Sequence, residues 1–570
     1  LKIIGEKEMQ IVIPSINWPF LIFFLVVFAL IAALILIKPI MRYIIKIVAN
    51  DAVKKLLSDD YTQNVAETLP SLKRFSVINF IEMSLRAQSG KVLTRPLGSP
   101  KHFLGYDQLM FSPRQMTQLS LPESAQIDMS VVIGSNAEKP LMIKIPLMIG
   151  AMAYGLALSE EAKLALARAS KTLQTATNSG EGPFLPEEPG EAGKFVLQIC
   201  RWSWGGRTNE QITSADMLEV QMGQGSDIGV ATIEASELAG RARILGGLEP
   251  GEPAVALNAP PGVQKPEDWP NFMKKLRQRA KGIPIALKIM ATDRLEEELS
   301  VAVELGFDAI VIDGAEGGSH ATVPTKQDDF GIPSLLALIR AKRFLQGSTV
   351  SIIISGGYFT PGQCLKALAL GADAIYLATV PLFALGHNQL EKVIPWEPPT
   401  TLVYYNSPTK TQLNINQAAT SVENVLTSMI LEMEEAMRAL GKASLKELSA
   451  DDLVALDSLS AEITGVRSVL QEPMANQRVQ KIRKQMDQRK SRSTLKDLGV
   501  AGNNAENQES NTALDKSLVE EHIQLIKELK EENKLMWRVI DTYIKSPFQK
   551  KIELPAQKKK HLIANYKNYK

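Results

Sequence analysis

Two short stretches around residue 360 have the residue types and spacing of a phosphate site. Ser355-Gly356-Gly357 ends one apolar run (SIIISGG), and Leu377-Ala378-Thr379 ends the next (DAIYLATV), about twenty residues on. Glycines at a strand end let backbone N–H groups approach an anion, and the second strand end with the helix behind it supplies further donors. In β/α barrels the loops after the seventh and eighth strands frequently form such a site. The bland alternative is a tight turn and nothing more. Other chemistry is thin. There are five histidines, and His320 and His387 fall near loop ends without carboxylates at ligand spacing, so no metal site is expected. Cys200 and Cys364 are the only cysteines. They exclude a disulfide framework or a four-thiolate site within one chain and fit a reducing compartment.

Loops of this kind need strands to hold them. From Pro140 short apolar runs recur: IKIPLMIGAM, KTLQTAT, KFVLQICRW, DMLEVQMG, PAVALNAP, IPIALKIM, FDAIVIDG, VSIIISGG and DAIYLATV. They are too short for independent helices and too continuous for half-exposed strands, so they fit parallel strands covered on both faces. Segments such as SEEAKLALARASKTL and TPGQCLKALALGA between them have helical spacing. This alternation predicts an α/β fold, a closed (β/α)8 TIM barrel, in preference to an open sheet. Charged residues at 22% and hydrophobic ones at 45% suit a globular chain, and a net charge of +2 argues against nucleic acid as a partner.

The ends read differently. Trp18 to Ile37 is uncharged and apolar, long enough at ~1.5 Å per residue to span a ~30 Å hydrocarbon core. Lys38, Arg42 and Lys46 follow it. A single-pass transmembrane helix is therefore expected, with residues 1–17 outside, the barrel in the cytoplasm, and 38–139 a juxtamembrane stalk and lead-in. The barrel domain is placed at 140–470, with Ala418 to Leu456 helical and packed on it. Residues 471–516 read as a basic helix and polar linker, and 517–570 as a C-terminal helical extension with a basic tail. Val519, His522, Ile526, Leu529, Asn533, Met536, Ile540 and Tyr543 keep heptad spacing. That pattern fits a coiled-coil homodimer or a helix docked on its own barrel. The basic end is either a solvated face or a contact to an anionic membrane leaflet.

GAMAYG (150–155), TNSGEG (177–182), SADMLEVQMGQG (214–225), IALKI (285–289), IDGAEGGSHA (312–321), SGGYFTPGQCLKALALGADAIYLAT (355–379) and RALGKASLKEL (438–448) occur in that order. In this they resemble the FMN-binding synthase domain of glutamate synthase, over about residues 90 to 470, and most closely the stand-alone glutamate-synthase-like proteins. The resemblance implies FMN as cofactor. Ala151, Met152 and Ala153 would lie along the flavin, Gln224 and Lys288 would face its ring, Gly317 and Gly318 would line the site, and Gly356, Gly357, Ala378 and Thr379 would hold the phosphate. Lys288 could stabilise charge on the reduced flavin or be paired with Asp313, and Gln224 could instead bond a loop. Glu181 and Arg207 are candidate substrate contacts, with Glu181, Gln224 and Lys288 the candidate catalytic set.

Departures from the family pattern limit the activity implied. The family's serine in GAMSYG is Ala153, and the family's 2-oxoglutarate lysine is Asp227, in QGSDIGVAT. FALGHNQLEKVIPWEPP holds no cysteine where the cluster ligands would be, so no iron–sulfur cluster is expected. The implied function is a membrane-anchored FMN oxidoreductase acting on CH–NH2 donors. It would take 2-oxoglutarate, as 2-iminoglutarate, or a related 2-oxo acid with ammonia, and draw electrons from a donor protein. The alternatives are an FMN-binding, membrane-tethered scaffold without turnover, or a phosphate-binding isomerase barrel without flavin.

Overall fold

The computed structural model describes residues 18–470 except 227, 320, 321, 395 and 396, together with 482 and 484–486. Eight parallel strands close into a barrel in chain order: β1 (Leu147–Ile149), β2 (Ala176–Asn178), β3 (Lys194–Ile199), β4 (Met217–Gln221), β5 (Ile285–Met290), β6 (Ala309–Asp313), β7 (Ser351–Ser355) and β8 (Ala374–Leu377). Closure is made by β8 on β1, where Tyr376 faces Met148 in register. Helices follow each strand: α1 (Glu160–Thr172), α2 (Glu188–Glu191), α3 (Asn209–Thr213), α4 (Trp269–Ala280), α5 (Leu295–Glu304), α6 (Ser334–Phe344), α7 (Pro361–Ala369) and α8 (Thr379–Gly386). Local chemistry sets their starts. Ser159 caps α1 by accepting from the Ala162 N–H, and Thr360 and Gln363 form a capping box on α7.

Alternation along each strand makes two cores. Leu218 and Val220 of β4 face the helices, in one cluster with Leu166, Leu299 and Leu338. Met148, Ala176, Val196, Met217 and Ile353 face inward. On that inner ring sits an antiparallel hairpin, Val131–Ile133 with Leu141–Ile143, whose Ile133, Leu141 and Ile143 join the interior cluster. The Gly134 N–H donates to Ser351 Oγ at the start of β7, which ties the hairpin to the N-terminal end of the barrel. Part of the lead-in is thus the barrel's floor.

One apolar run departs from expectation. PAVALNAP forms only Ala254–Val255, paired antiparallel with Thr232–Ile233 outside the barrel. Prolines 253, 260 and 261 bracket it and cannot donate to a ladder. Beyond α8, α9 (Ile415–Ala439) buries Ala418, Val422, Leu426, Met429, Met433 and Met437, the three-and-four spacing of one helical face, against α1, α7 and α8. The helical expectation fails after it. SLKELSADDLVALD gives two short 3-10 turns and the strand Leu453–Ala455, paired with Leu109–Phe111.

The membrane expectation is corrected. Residues Trp18–Ser58 are helical, but among the described residues no single helix is long and apolar enough to cross a membrane. Ile22–Ile31 and Leu36–Ser58 are bent by 41° at a break between them. The break falls in the turn ahead of Pro39, which lacks the N–H that would bond residue 35. Ile22–Ile31 reaches only ~15 Å, and the second limb carries Lys38, Arg42, Lys46 and Asp51. A single-pass anchor with a cytoplasmic barrel therefore rests on no single spanning helix among the described residues, and only the bent pair taken together has the length and composition. The coiled-coil heptads and the basic tail lie outside the described residues.

Leu426 is 1% exposed and Leu431, on the other face of α9, is 56% exposed. Leu426→Ala is expected to cost about 2–5 kcal/mol and Leu431→Ala less than about 0.5 kcal/mol. Urea unfolding of the two variants tests which face of α9 is packed.

Candidate functional site

Inward side chains turn polar at the C-terminal end of the barrel. Asn178 of β2, Gln198 of β3, Glu219 and Gln221 of β4, Lys288 of β5, Asp313 of β6, Ser355 of β7 and Tyr376 of β8 are all buried. Gln198 Nε2 donates to Glu219 Oε1 at 2.7 Å, Asn178 Nδ2 to the Tyr376 hydroxyl at 3.1 Å, and Ser355 Oγ to Asp313 Oδ1 at 2.7 Å. Some of the layer has no protein partner: among the described residues Glu219 Oε2 and both amide atoms of Gln221 are buried without a hydrogen bond. Gln221 stands beside Lys288 in the β4–β5 register. Burial pushes the Asp313 carboxyl up, while the Lys288 ammonium and the Ser355 bond oppose the shift. Lys288 is 4% exposed and lines the cavity above. Among the described residues no Lys288–Asp313 ion pair is closed; the two interact only through space.

Two adjoining cavities open over this layer, of about 490 and 410 Å³. Ala151, Gln224, Gly318, Ala378 and Thr379 line both. The first also takes Met152, Ala153, Glu181, Gln198 and Trp202; the second takes Lys288, Gly317, Gly356 and Gly357. All twelve residues named from sequence as catalytic or cofactor-binding therefore line one connected space.

At its far end Gly356 and Gly357 have φ of 104° and 78°, a region closed to most side chains. A Cβ on Gly357 would lie 2.7 Å from Glu316 Cβ. Among the described residues the N–H groups of Gly356, Gly357, Thr379 and Val380 donate to no backbone carbonyl, and Ala378 gives α8 no side-chain cap. These donors are left for an anion.

The segment from Thr94 to Tyr106 crosses the mouth as a strap. The Arg95 and Leu97 N–H groups donate to Thr322 and Ser319 carbonyls, and the Arg95 guanidinium makes a fork to Asp328 at 3.0 and 2.8 Å with Glu82 at its Nε. Gly318 is glycine because the strap passes over it: a Cβ there would be 2.6 Å from the Leu97 carbonyl carbon. No periodicity in the sequence marks the strap. The polar inner layer did leave a signal, since Lys288, Asp313 and Ser355 interrupt apolar runs near their ends.

Other assignments move. Arg207 lines neither cavity; it lies behind the wall, with Nε donating to the Gln198 carbonyl and Nη2 to the Gly182 carbonyl. As a substrate contact it is withdrawn, because it lines neither cavity and its Nε and Nη2 are turned to backbone, with Nη1 buried and without a partner among the described residues. His387 ends α8 away from both cavities. Asp227 and His320 lie outside the described residues. Glu316, which sequence reading missed, lines the second cavity and accepts from the Ser334 N–H and Oγ at the start of α6. Burial, helped by the nearby Asp313 charge, pushes its carboxyl up to about 7 against those hydrogen bonds.

Fold and site together define a (β/α)8 barrel with a two-chambered mouth at the C-terminal ends of its strands. More particularly, residues 100–443 match the family model described as the conserved region in glutamate synthase, and the chain belongs to that family. It is 29% identical over 426 residues to a glutamate synthase large subunit-like protein of Rhizobium meliloti, covering 69% of this chain and 93% of that one. An archaeal-type glutamate synthase (NADPH) of Dehalococcoides mccartyi is 25% identical over 410 residues, covering 67% of this chain and 82% of the relative. Among solved structures, mandelate oxidase with benzoyl-formic acid is similar over 62% of this chain and 90% of that chain, at 16% identity and a TM-score of 0.40.

Glu316 makes stability depend on pH. Its folded value, about 7, exceeds the ordinary 4.5, so between those values the folded state keeps a proton that the unfolded state has lost. Stability therefore falls as pH rises through that window, by up to about 3 kcal/mol at ~1.4 kcal/mol per unit. Glu316→Gln cannot titrate. Urea unfolding at pH 5 and pH 8 should show a smaller loss in the variant than in the parent, and equal losses would rule the assignment out.

Proposed function

We propose that the two-chambered mouth binds FMN and that the protein is an oxidoreductase of the glutamate synthase kind. The observation that carries this reading is convergence. A phosphate cradle of free N–H groups, a buried lysine, and the glutamine Gln224 shared by both chambers meet in one cavity system. Its volume lies in the ~300–1,000 Å³ range of small-molecule sites, and the unpartnered amide of Gln221 below it fits a site completed by a ligand or water.

The residues divide the work by chemistry. Gly356, Gly357 and the α8 N-terminus at Thr379 offer N–H donors and the positive end of a helix dipole to a phosphate dianion. Ala151, Met152 and Ala153 have small or flexible side chains and form a wall along which a planar ring can lie. Lys288, held in a low-dielectric interior, favours negative charge on whatever it faces. Gln224 can donate or accept at the ring edge. FMN, when bound, supplies the hydride-transfer chemistry.

Substrate belongs in the first chamber, where Glu181 and Glu237 stand against the single lysine Lys326 among its described charged residues. With Asp227 at the family's lysine position, this lining favours a 2-oxo acid carrying less negative charge than 2-oxoglutarate. The reaction proposed is reductive amination of such an acid with ammonia, its reducing equivalents delivered by a donor protein at the mouth.

Protein mixed with FMN should quench flavin fluorescence and shift the visible bands. Gly357→Ala should weaken that binding at least about tenfold through its contact with Glu316. A colourless protein that takes up no FMN at all would defeat the reading. Anaerobic reoxidation of the reduced complex by ammonia with a panel of 2-oxo acids should be faster for monocarboxylates than for 2-oxoglutarate.

A further inference from the structure

Three buried charges sit behind the cavity wall and touch neither chamber. Lys163 of α1 is 0% exposed, and Glu188 of α2 is 1% exposed. Lys163 Nζ donates to the Met152 carbonyl at 2.9 Å and the Asn178 carbonyl at 2.8 Å. It lies 2.8 Å from Glu188 Oε1, an ion pair set off the hydrogen-bond direction. Arg207, also buried, shares the field of Glu188 and holds the carbonyls of Gln198 and Gly182 at 2.8 and 2.9 Å. Arg207 adopts a positive φ of 46° to do so, a conformation that a side chain keeps only under surrounding constraint.

Stability does not account for this arrangement. Taking an ion pair out of water costs several kcal/mol per ion, and apolar replacements of such pairs are often neutral or stabilising. What the cluster gains is contact with backbone from three different strand ends. Met152 follows β1, Asn178 ends β2 with Gly182 beyond it, and Gln198 belongs to β3. Met152 and Gln198 line the first chamber, and so do Gly180 and Glu181 between Asn178 and Gly182. One ammonium can hold two carbonyls by hydrogen bonds and a carboxylate by its charge at once, and no neutral side chain of that reach can.

We infer that Lys163, paired with Glu188 and backed by Arg207, is a positioning residue that sets the loop after β1 against the loop after β2, and with it the wall on which the flavin ring lies. The flavin part of this rests on the FMN reading above; the clamp itself does not. Lys163→Met alone would strand the buried Glu188 charge, so the informative variant is Lys163→Met with Glu188→Met.

That double variant should melt within a few degrees of the parent. It should nonetheless bind FMN at least about tenfold more weakly, with visible bands shifted from the parent's. Amides of residues 151–155 and 178–182 should exchange hydrogen at least about tenfold faster. Unchanged affinity, bands and exchange would overturn the inference. So would a double variant that fails to fold, since the pair would then be a stabilising element of the core. A parent protein that takes up no FMN would sink the flavin reading alone, because the exchange comparison still tests the clamp.

Discussion

Closure of a parallel sheet gives every strand the same inside, and that constraint governs the rest of this molecule. Eight strands point the same way around the ring, so whatever residue each places last on its inner face must meet the others. On every strand but β1 a buried polar residue stands near that end, and an unsatisfied buried polar group costs ~1–3 kcal/mol. Gln198 with Glu219, Asn178 with Tyr376, and Ser355 with Asp313 offset part of that cost by bonding in pairs. Among the described residues Gln221 remains without a partner. A barrel that carries such a layer is adapted to contents. Its opposite end is apolar and stoppered by the Ile133–Leu141 hairpin, so polarity is confined to the end that opens.

Charge follows the same geography. Lys288 of β5 and Asp313 of the neighbouring β6 interact through space and line the chamber. Lys163 and Arg207, with the Glu188 carboxylate, are as deeply buried, and the two cations turn donors to the backs of the loops. One set can act on a ligand; the other holds the peptide groups that surround it. Arg207 shows how easily the two are confused in a sequence. It follows TNSGEG and a strand, where a substrate-binding arginine would be expected, and only the bonds to Gln198 and Gly182 reveal its duty.

The barrel was legible because parallel strands buried on both faces must be near-continuous apolar runs, and eight of the nine runs became its strands. PAVALNAP had the composition but also three prolines at its edges, and composition outweighed them in the reading. The Gly356–Gly357 pair was legible because few residue types tolerate a positive φ. Glu316 and the strap were not, since a carboxylate's burial and a coil's path depend on tertiary contacts that leave no period. The apolar run at Trp18–Ile37 misled for the opposite reason: hydropathy is summed along the chain and takes no account of a bend ahead of Pro39.

The strap has a consequence in time. Arg95 and its partner Asp328 are 233 residues apart, so the segment that roofs the mouth is made long before its anchor. At ~5–20 residues per second, a ribosome needs on the order of ten to fifty seconds to cover that distance. For that interval the roof has no partner, and β7 and β8 do not yet exist to finish the ring beneath it. The roof of the mouth thus waits on a fork of two hydrogen bonds to a residue that is itself made before the last two strands of the ring.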